Sequence, residues 1–194
     1  RGKFFPITFG ADPDMLYVTS SMATGRAVVY RFSIKRGRLK GKVFAHAKAN
    51  AGDLFFSRDR SRIVAVSYYD DEYRLEIMDE NFQRRMDKIT AAVGNDNIYL
   101  GGSDKAQKRQ IVWTGDERAP GKPWLYFDDT EKAIALAEPA PWIKDDAMSA
   151  VKSVHYRARD GLDIPAYLTL PEGTESNQAL PAIVMPHGGP YVRD

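Results

Sequence analysis

A unit of about 48 residues recurs along this chain, and it limits the possible folds more than any other feature. Three stretches resemble one another: 12–21 (DPDMLYVTSS), 58–69 (RDRSRIVAVSYY) and 103–116 (SDKAQKRQIVWTGD). Each is a polar turn running into a β-branched or aromatic strand. Each is followed by a second strand of similar character, Ala27–Phe32, Arg74–Asp79 and Pro123–Asp128. The second strands start at residues 27, 74 and 123, steps of 47 and 49. Shorter strand signals fall between them, near 42–46, 53–57, 98–101 and 132–137. Several short strands per unit, repeating in the forties, read as β-propeller blades. An antiparallel sandwich with coincidental spacing is the alternative. Propellers close with roughly four to eight blades, so three units predict a partial ring whose N-terminal cut lies inside the propeller. Its open edge would be an association hazard, a route to a homo-oligomer.

Composition narrows the function classes. With 43% hydrophobic residues and 11% aromatics among 194 residues, a real core is expected. The 28 basic and 26 acidic residues are interleaved, so no basic stripe points to nucleic acid and no basic amphipathic helix to a membrane surface. No apolar run approaches the roughly 18 residues of a membrane helix. There are no cysteines, which excludes disulfides and thiolate metal sites but suits cytosol and periplasm equally. Localisation stays open. The three histidines, His46, His155 and His187, show no metal-ligand spacing, and no cofactor is expected. His46 and His155 read as surface or interface residues.

The strand rhythm breaks at Pro139-Ala140-Pro141-Trp142, and residues 144–150 (KDDAMSA) suit a short helical turn. Residues 151–171 (VKSVHYRARDGLDIPAYLTLP) then read as a hairpin. A two-residue Asp160-Gly161 turn would put the two apolar sets on opposite faces. A three-residue loop, 160–162, pairs Ala158 with Ile164, Tyr156 with Ala166 and Val154 with Leu168, and sets Arg159 opposite Asp163; it is preferred. Pro165 cannot donate to a ladder, so its strand is expected at an edge or bulge. Beyond a polar loop at 172–179, Ala182-Ile183-Val184-Met185 reads as a strand buried on both faces, as in a parallel sheet. Pro186-His187-Gly188-Gly189-Pro190 follows at once. A glycine-rich turn of this type after a sheet strand is where α/β-hydrolases place one backbone N–H of the oxyanion hole. No G-x-S-x-G elbow occurs in the chain, and Gly101-Gly102-Ser103 is expected to be a loop.

The fold class expected is therefore mainly β, a partial β-propeller of about three blades followed by the first strands of an α/β-hydrolase domain. The expected division is 1–143 for the propeller piece and 144–194 for the linker and hydrolase start. Tyr156 to Gly161 (YRARDG), Pro165 to Pro171 (PAYLTLP) and Pro186 to Pro190 (PHGGP) resemble the prolyl oligopeptidase family of serine peptidases, its acylaminoacyl-peptidase and dipeptidyl-peptidase-like branches above all. The resemblance implies a Ser-Asp-His triad lying beyond residue 194, short peptides as substrates, and a propeller that limits entry to the cleft. It implies an oxyanion contact from the Gly189 N–H, with Gly188 shaping the turn; His187 itself reads as bracing that turn by hydrogen bonding rather than as a general base. Some branches carry a tyrosine where His187 stands, so the backbone role is the one transferred. Arg193, just past the motif, is a candidate substrate contact. On this reading the parent is a peptidase and the 194-residue piece, lacking the triad, is inactive. The alternatives are a non-catalytic propeller that binds a protein partner, and an esterase-type hydrolase with a propeller. Two further sets read as structural: the turn acids Asp70-Asp71-Glu72 and Asp128-Asp129 as solvated, and Trp113, Trp124 and Trp142 as packing between blades or on the linker.

Overall fold

The computed structural model describes residues 4–70, 72–116, 119–144, 148–174, 178–186 and 188–189. Strands come in the order the repeat predicts. The first sheet is a meander of β1 (Phe4–Phe9), β2 (Met15–Ser20), β3 (Val28–Ser33) and β4 (Arg38–Phe44), each antiparallel to the next. The second holds β5 (Ala51–Phe56), β6 (Ile63–Tyr69) and β7 (Tyr73–Ile77). The third is again a four-stranded meander: β8 (Ile98–Ser103), β9 (Arg109–Asp116), β10 (Ala119–Phe127) and β11 (Lys132–Ala135). The second strands of the sequence repeat are β3, β7 and β10, the third strand of each sheet. Gly101-Gly102-Ser103, expected as a loop, instead ends β8. β1 was not foreseen.

Where sheets one and three have a fourth strand, the second sheet is followed by a helix, α1 (Glu80–Val93). The sequence gives it both ends. Asp79 caps it, its carboxylate accepting the Phe82 N–H at 2.9 Å. Gly94 stops it in the left-handed conformation (φ 69°), donating to the Thr90 carbonyl at 2.9 Å. Between these, Phe82, Met86, Ile89 and Val93 recur at helical spacing and face inward.

The core lies between the sheets. Tyr17, Val29 and Phe44 of the first sheet meet Ile63 and Val66 of the second. Met86, Ile89 and Val93 of α1 pack with Ile98, Val112 and Tyr126 of the third sheet, flanked by Leu75 and Ile77 of β7. A meander buries its faces only against its neighbours, so sheet-to-sheet packing carries the stability. Tyr126 is fully buried, and burial pushes its phenol pKa up; its hydroxyl has no hydrogen-bond partner among the described residues. Replacing it with phenylalanine removes an uncompensated desolvation cost, so Tyr126→Phe is expected to stabilise the fold by about 1 kcal/mol, measurable by chemical denaturation.

The last sheet is a hairpin of β12 (Val151–Arg157) and β13 (Asp163–Thr169), and Pro165 sits on a strand that pairs only with β12 among the described residues. Its loop has three residues, as expected, but they are 159–161. Gly161 N–H donates to the Ala158 carbonyl (2.9 Å), and Ala158 N–H to the Leu162 carbonyl (2.8 Å). The register is thus Tyr156 opposite Ile164 and Val154 opposite Ala166. Gly161 at φ 84° explains the shift: the left-handed position is the last of such a loop, where it forms the bulge, not the middle. Moving both strands together keeps the apolar sets on one face. No helix is present at 144 or 148–150, and the rest of that expected turn, 145–147, lies outside the described residues.

Residues 182–185 correct the sequence reading. They form no strand, and Ile183, Val184 and Met185 are 89%, 88% and 85% exposed. A strand of a parallel sheet needs at least one hydrogen-bonded neighbour, and its burial needs elements packed on both faces. Among the described residues none pairs with it.

Candidate functional site

A cavity of 640 Å³ opens between the second and third sheets at the end of β6. Residues of β7, α1, β8 and β9 line it. Three tyrosines line one wall in a chain of ring contacts. Tyr69 meets Tyr73 edge-on at 5.2 Å, and Tyr73 lies 4.5 Å from Tyr99. Burial pushes the Tyr73 phenol up to about 12 and raises Tyr69 in the same direction, so both stay protonated donors near neutrality. Tyr167 of β13 joins the lining and brings the hairpin over the sheet junction. Trp113, 43% exposed, forms part of the opposite side.

The charge around this cavity is acidic. Glu72, Asp87 and Asp96 face it against Arg74, which is already bound by Asp70 (3.2 Å) and Glu72 (3.1 Å). A stack of protonated phenols beneath net negative charge can hold planar or apolar groups and a cationic or N–H-rich end. It offers no nucleophile with an adjacent base. Among the described residues no group of three or more His, Asp or Glu is placed to hold a metal.

The residues singled out from the sequence are placed as follows. Gly188 and Gly189 are exposed, and Gly189 has φ 131°, in the left-handed region that favours glycine. A Cβ built on Gly188 meets nothing within 4 Å. His187 and Arg193 lie outside the described residues. His46 is half-buried and structural: its ring stacks on Tyr68 at 4.5 Å, and Nδ1 accepts the Ala49 N–H at 3.0 Å. His155 is exposed and 2.9 Å from Asp163. The turn acids are paired: Asp128 binds Arg85 (3.0 Å) and Asp129 binds Lys108 (3.1 Å); Asp71 is outside the described residues. Trp124 is anchored by its ring N–H to Thr114 Oγ1 at 2.8 Å. Trp142, expected to pack, is 78% exposed.

The tyrosine wall was missed in the sequence. Its signal was the density of tyrosine at strand ends, Tyr68-Tyr69, Tyr73 and Tyr99. Nothing in a strand pattern says which ends meet across a sheet junction.

No protein-family model matches the chain. It is similar to dipeptidyl aminopeptidase BIII of Pseudoxanthomonas mexicana, 24% identical over 191 residues, 94% of this chain and 27% of that protein. Among solved structures it resembles a puromycin-hydrolyzing peptidase of Mycobacterium tuberculosis, with TM-score 0.59 and 16% identity over 93% of this chain and 28% of that one. It also resembles a prolyl endopeptidase, with TM-score 0.54 and 14% identity over 90% of this chain and 25% of the other. The fold is that of the propeller domain of prolyl oligopeptidases, and the chain is similar to peptidases of that family along nearly all its length. It spans about a quarter of the length of these relatives.

Proposed function

We propose that this chain is part of a serine peptidase of the prolyl oligopeptidase type, which hydrolyses short peptides by acyl transfer. Residues 1–143 belong to its propeller and 144–194 to the linker and the start of its α/β-hydrolase domain. A serine oxygen attacks the scissile carbonyl carbon, and the oxyanion so formed accepts a hydrogen bond from the Gly189 N–H. The amine leaves with a proton from the catalytic histidine, and water then releases the acyl group. The observation that carries this reading is the exposed, left-handed bend at Gly189, in a chain whose relatives are peptidases from end to end.

Serine, acid and histidine are not assigned to residues of this chain, so residues 1–194 alone are proposed to be inactive. The tyrosine cavity supports the choice of substrate class, since its size and acid rim suit a peptide side chain or amine rather than a polymer. The test is hydrolysis of dipeptidyl p-nitroanilides by the full-length protein, with labelling by a fluorophosphonate. Turnover abolished by the label is expected, with none from residues 1–194. Turnover of p-nitrophenyl esters alone would place the protein among the esterases, and no labelling would leave a binding module.

A further inference from the structure

A second cavity, of 380 Å³, lies at the other end of β6, in the same sheet junction. Val64, which lines it, stands five residues along β6 from Tyr69 of the tyrosine cavity, about 17 Å of extended chain. The electrostatics are reversed. Arg58, Arg60, Arg62 and Arg85 line this cavity against a single lining carboxylate, Asp79. Two of the four are engaged: Arg62 pairs with Asp79, and Arg85 with Asp128 at 3.0 Å. Arg58 and Arg60 have no carboxylate partner among the described residues.

The 57–62 turn fixes the backbone from which these two side chains extend. Ser57 N–H donates to the Arg62 carbonyl (2.9 Å) and Arg60 N–H to the Ser57 carbonyl (2.7 Å). The nearby Asp59 is ionised but forms no ion pair with either of them. Its carboxylate accepts from Ser57 Oγ (2.6 Å), Ser61 Oγ (2.8 Å) and the Ser61 N–H (3.0 Å), hydrogen bonds that hold its pKa down at about 2. Arg60 is held in the left-handed region (φ 57°), with its guanidinium 4.9 Å from the centre of the Phe56 ring. Next to it Phe55 and Phe82 pack ring to ring at 6.1 Å, giving the cavity an apolar floor.

We propose that this cavity binds a small organic oxyanion, a carboxylate or phosphate monoester, whose apolar part rests on Phe55, Phe56 and Phe82. Arg58 and Arg60 hold the charged head, because a guanidinium presents paired N–H donors that match two oxygens of such a group. The site stands at the opposite end of β6 from the tyrosine cavity and does not depend on the peptidase reading.

Calorimetric titration of the full-length protein tests it with three probes of similar shape: phenyl phosphate, N-acetylphenylalanine and the neutral N-acetylphenylalaninamide. At least one anion is expected to bind with Kd below about 1 mM, and the amide about tenfold or more weakly. Binding of phenyl phosphate alone assigns a phosphorylated ligand, and of N-acetylphenylalanine alone a carboxylate; both together assign a general oxyanion site. The Arg58→Ala, Arg60→Gly double variant is expected to lose about tenfold in anion affinity while leaving the melting temperature and p-nitroanilide turnover unchanged. Glycine at 60 removes the charge and relaxes a left-handed residue, so misfolding does not confound the result. The proposal is overturned if neither anion binds, if the amide binds as tightly, or if the double variant keeps full affinity.

Discussion

Gly189→Ala in the full-length protein is expected to lower kcat for a dipeptidyl p-nitroanilide by about 10²–10³-fold, the cost of one lost oxyanion donor. KM should stay within about threefold, since the hydrogen bond forms only as charge develops on the carbonyl. The reason is conformational. At φ 131° an alanine Cβ is strained, and the bend relaxes by rotating the N–H away from the oxyanion. Gly188→Ala is the internal control. Its φ is not in the left-handed region and its Cβ would meet open space, so a loss of less than about fivefold is expected. Equal effects at both positions, or Gly189→Ala active within about threefold, would remove the oxyanion role.

Strand rhythm was legible because each strand carries its own pattern. Ile63–Tyr69 and Val28–Ser33 alternate or run apolar between polar turns whatever they pack against. The hairpin loop length followed from keeping the two apolar sets on one face, but its position needed the rule that the left-handed residue comes last. α1 was legible and overlooked: Asp79, then Phe82, Met86, Ile89 and Val93, then Gly94 is a capped amphipathic helix. The cavities were not legible at all. The tyrosine wall joins Tyr69 and Tyr73 to Tyr99, and the arginine cluster joins the 57–62 turn to Arg85 on α1, each through contacts between separate elements. For Ile183 to Met185 the apolar run was read as buried, yet burial depends on partner strands as much as on the segment itself.

Ile89→Ala is expected to cost about 3–4 kcal/mol in urea unfolding, a large share of the roughly 5–15 kcal/mol that a domain has. Ile89 is wholly buried, at 0% exposure, where α1 meets the third sheet. Truncation leaves a void lined by Met86, Val93 and Ile98, and the neighbouring backbone is a helix and a sheet that relax little. Arg84→Ala, five residues earlier and exposed, removes a 3.7 Å pair with Glu80 and a hydrogen bond to Asn81 Oδ1, both at the surface, and should change stability by less than about 0.5 kcal/mol. The contrast matters for function, because α1 reaches both cavities. Met86, Asp87 and Thr90 line the tyrosine cavity, while Phe82 and Arg85 line the arginine cavity. If the helix fixes both sites, Ile89→Ala weakens anion binding and peptide turnover together at temperatures where the fold persists. A variant that unfolds more easily but keeps both functions at full strength would show that the strands alone set the geometry.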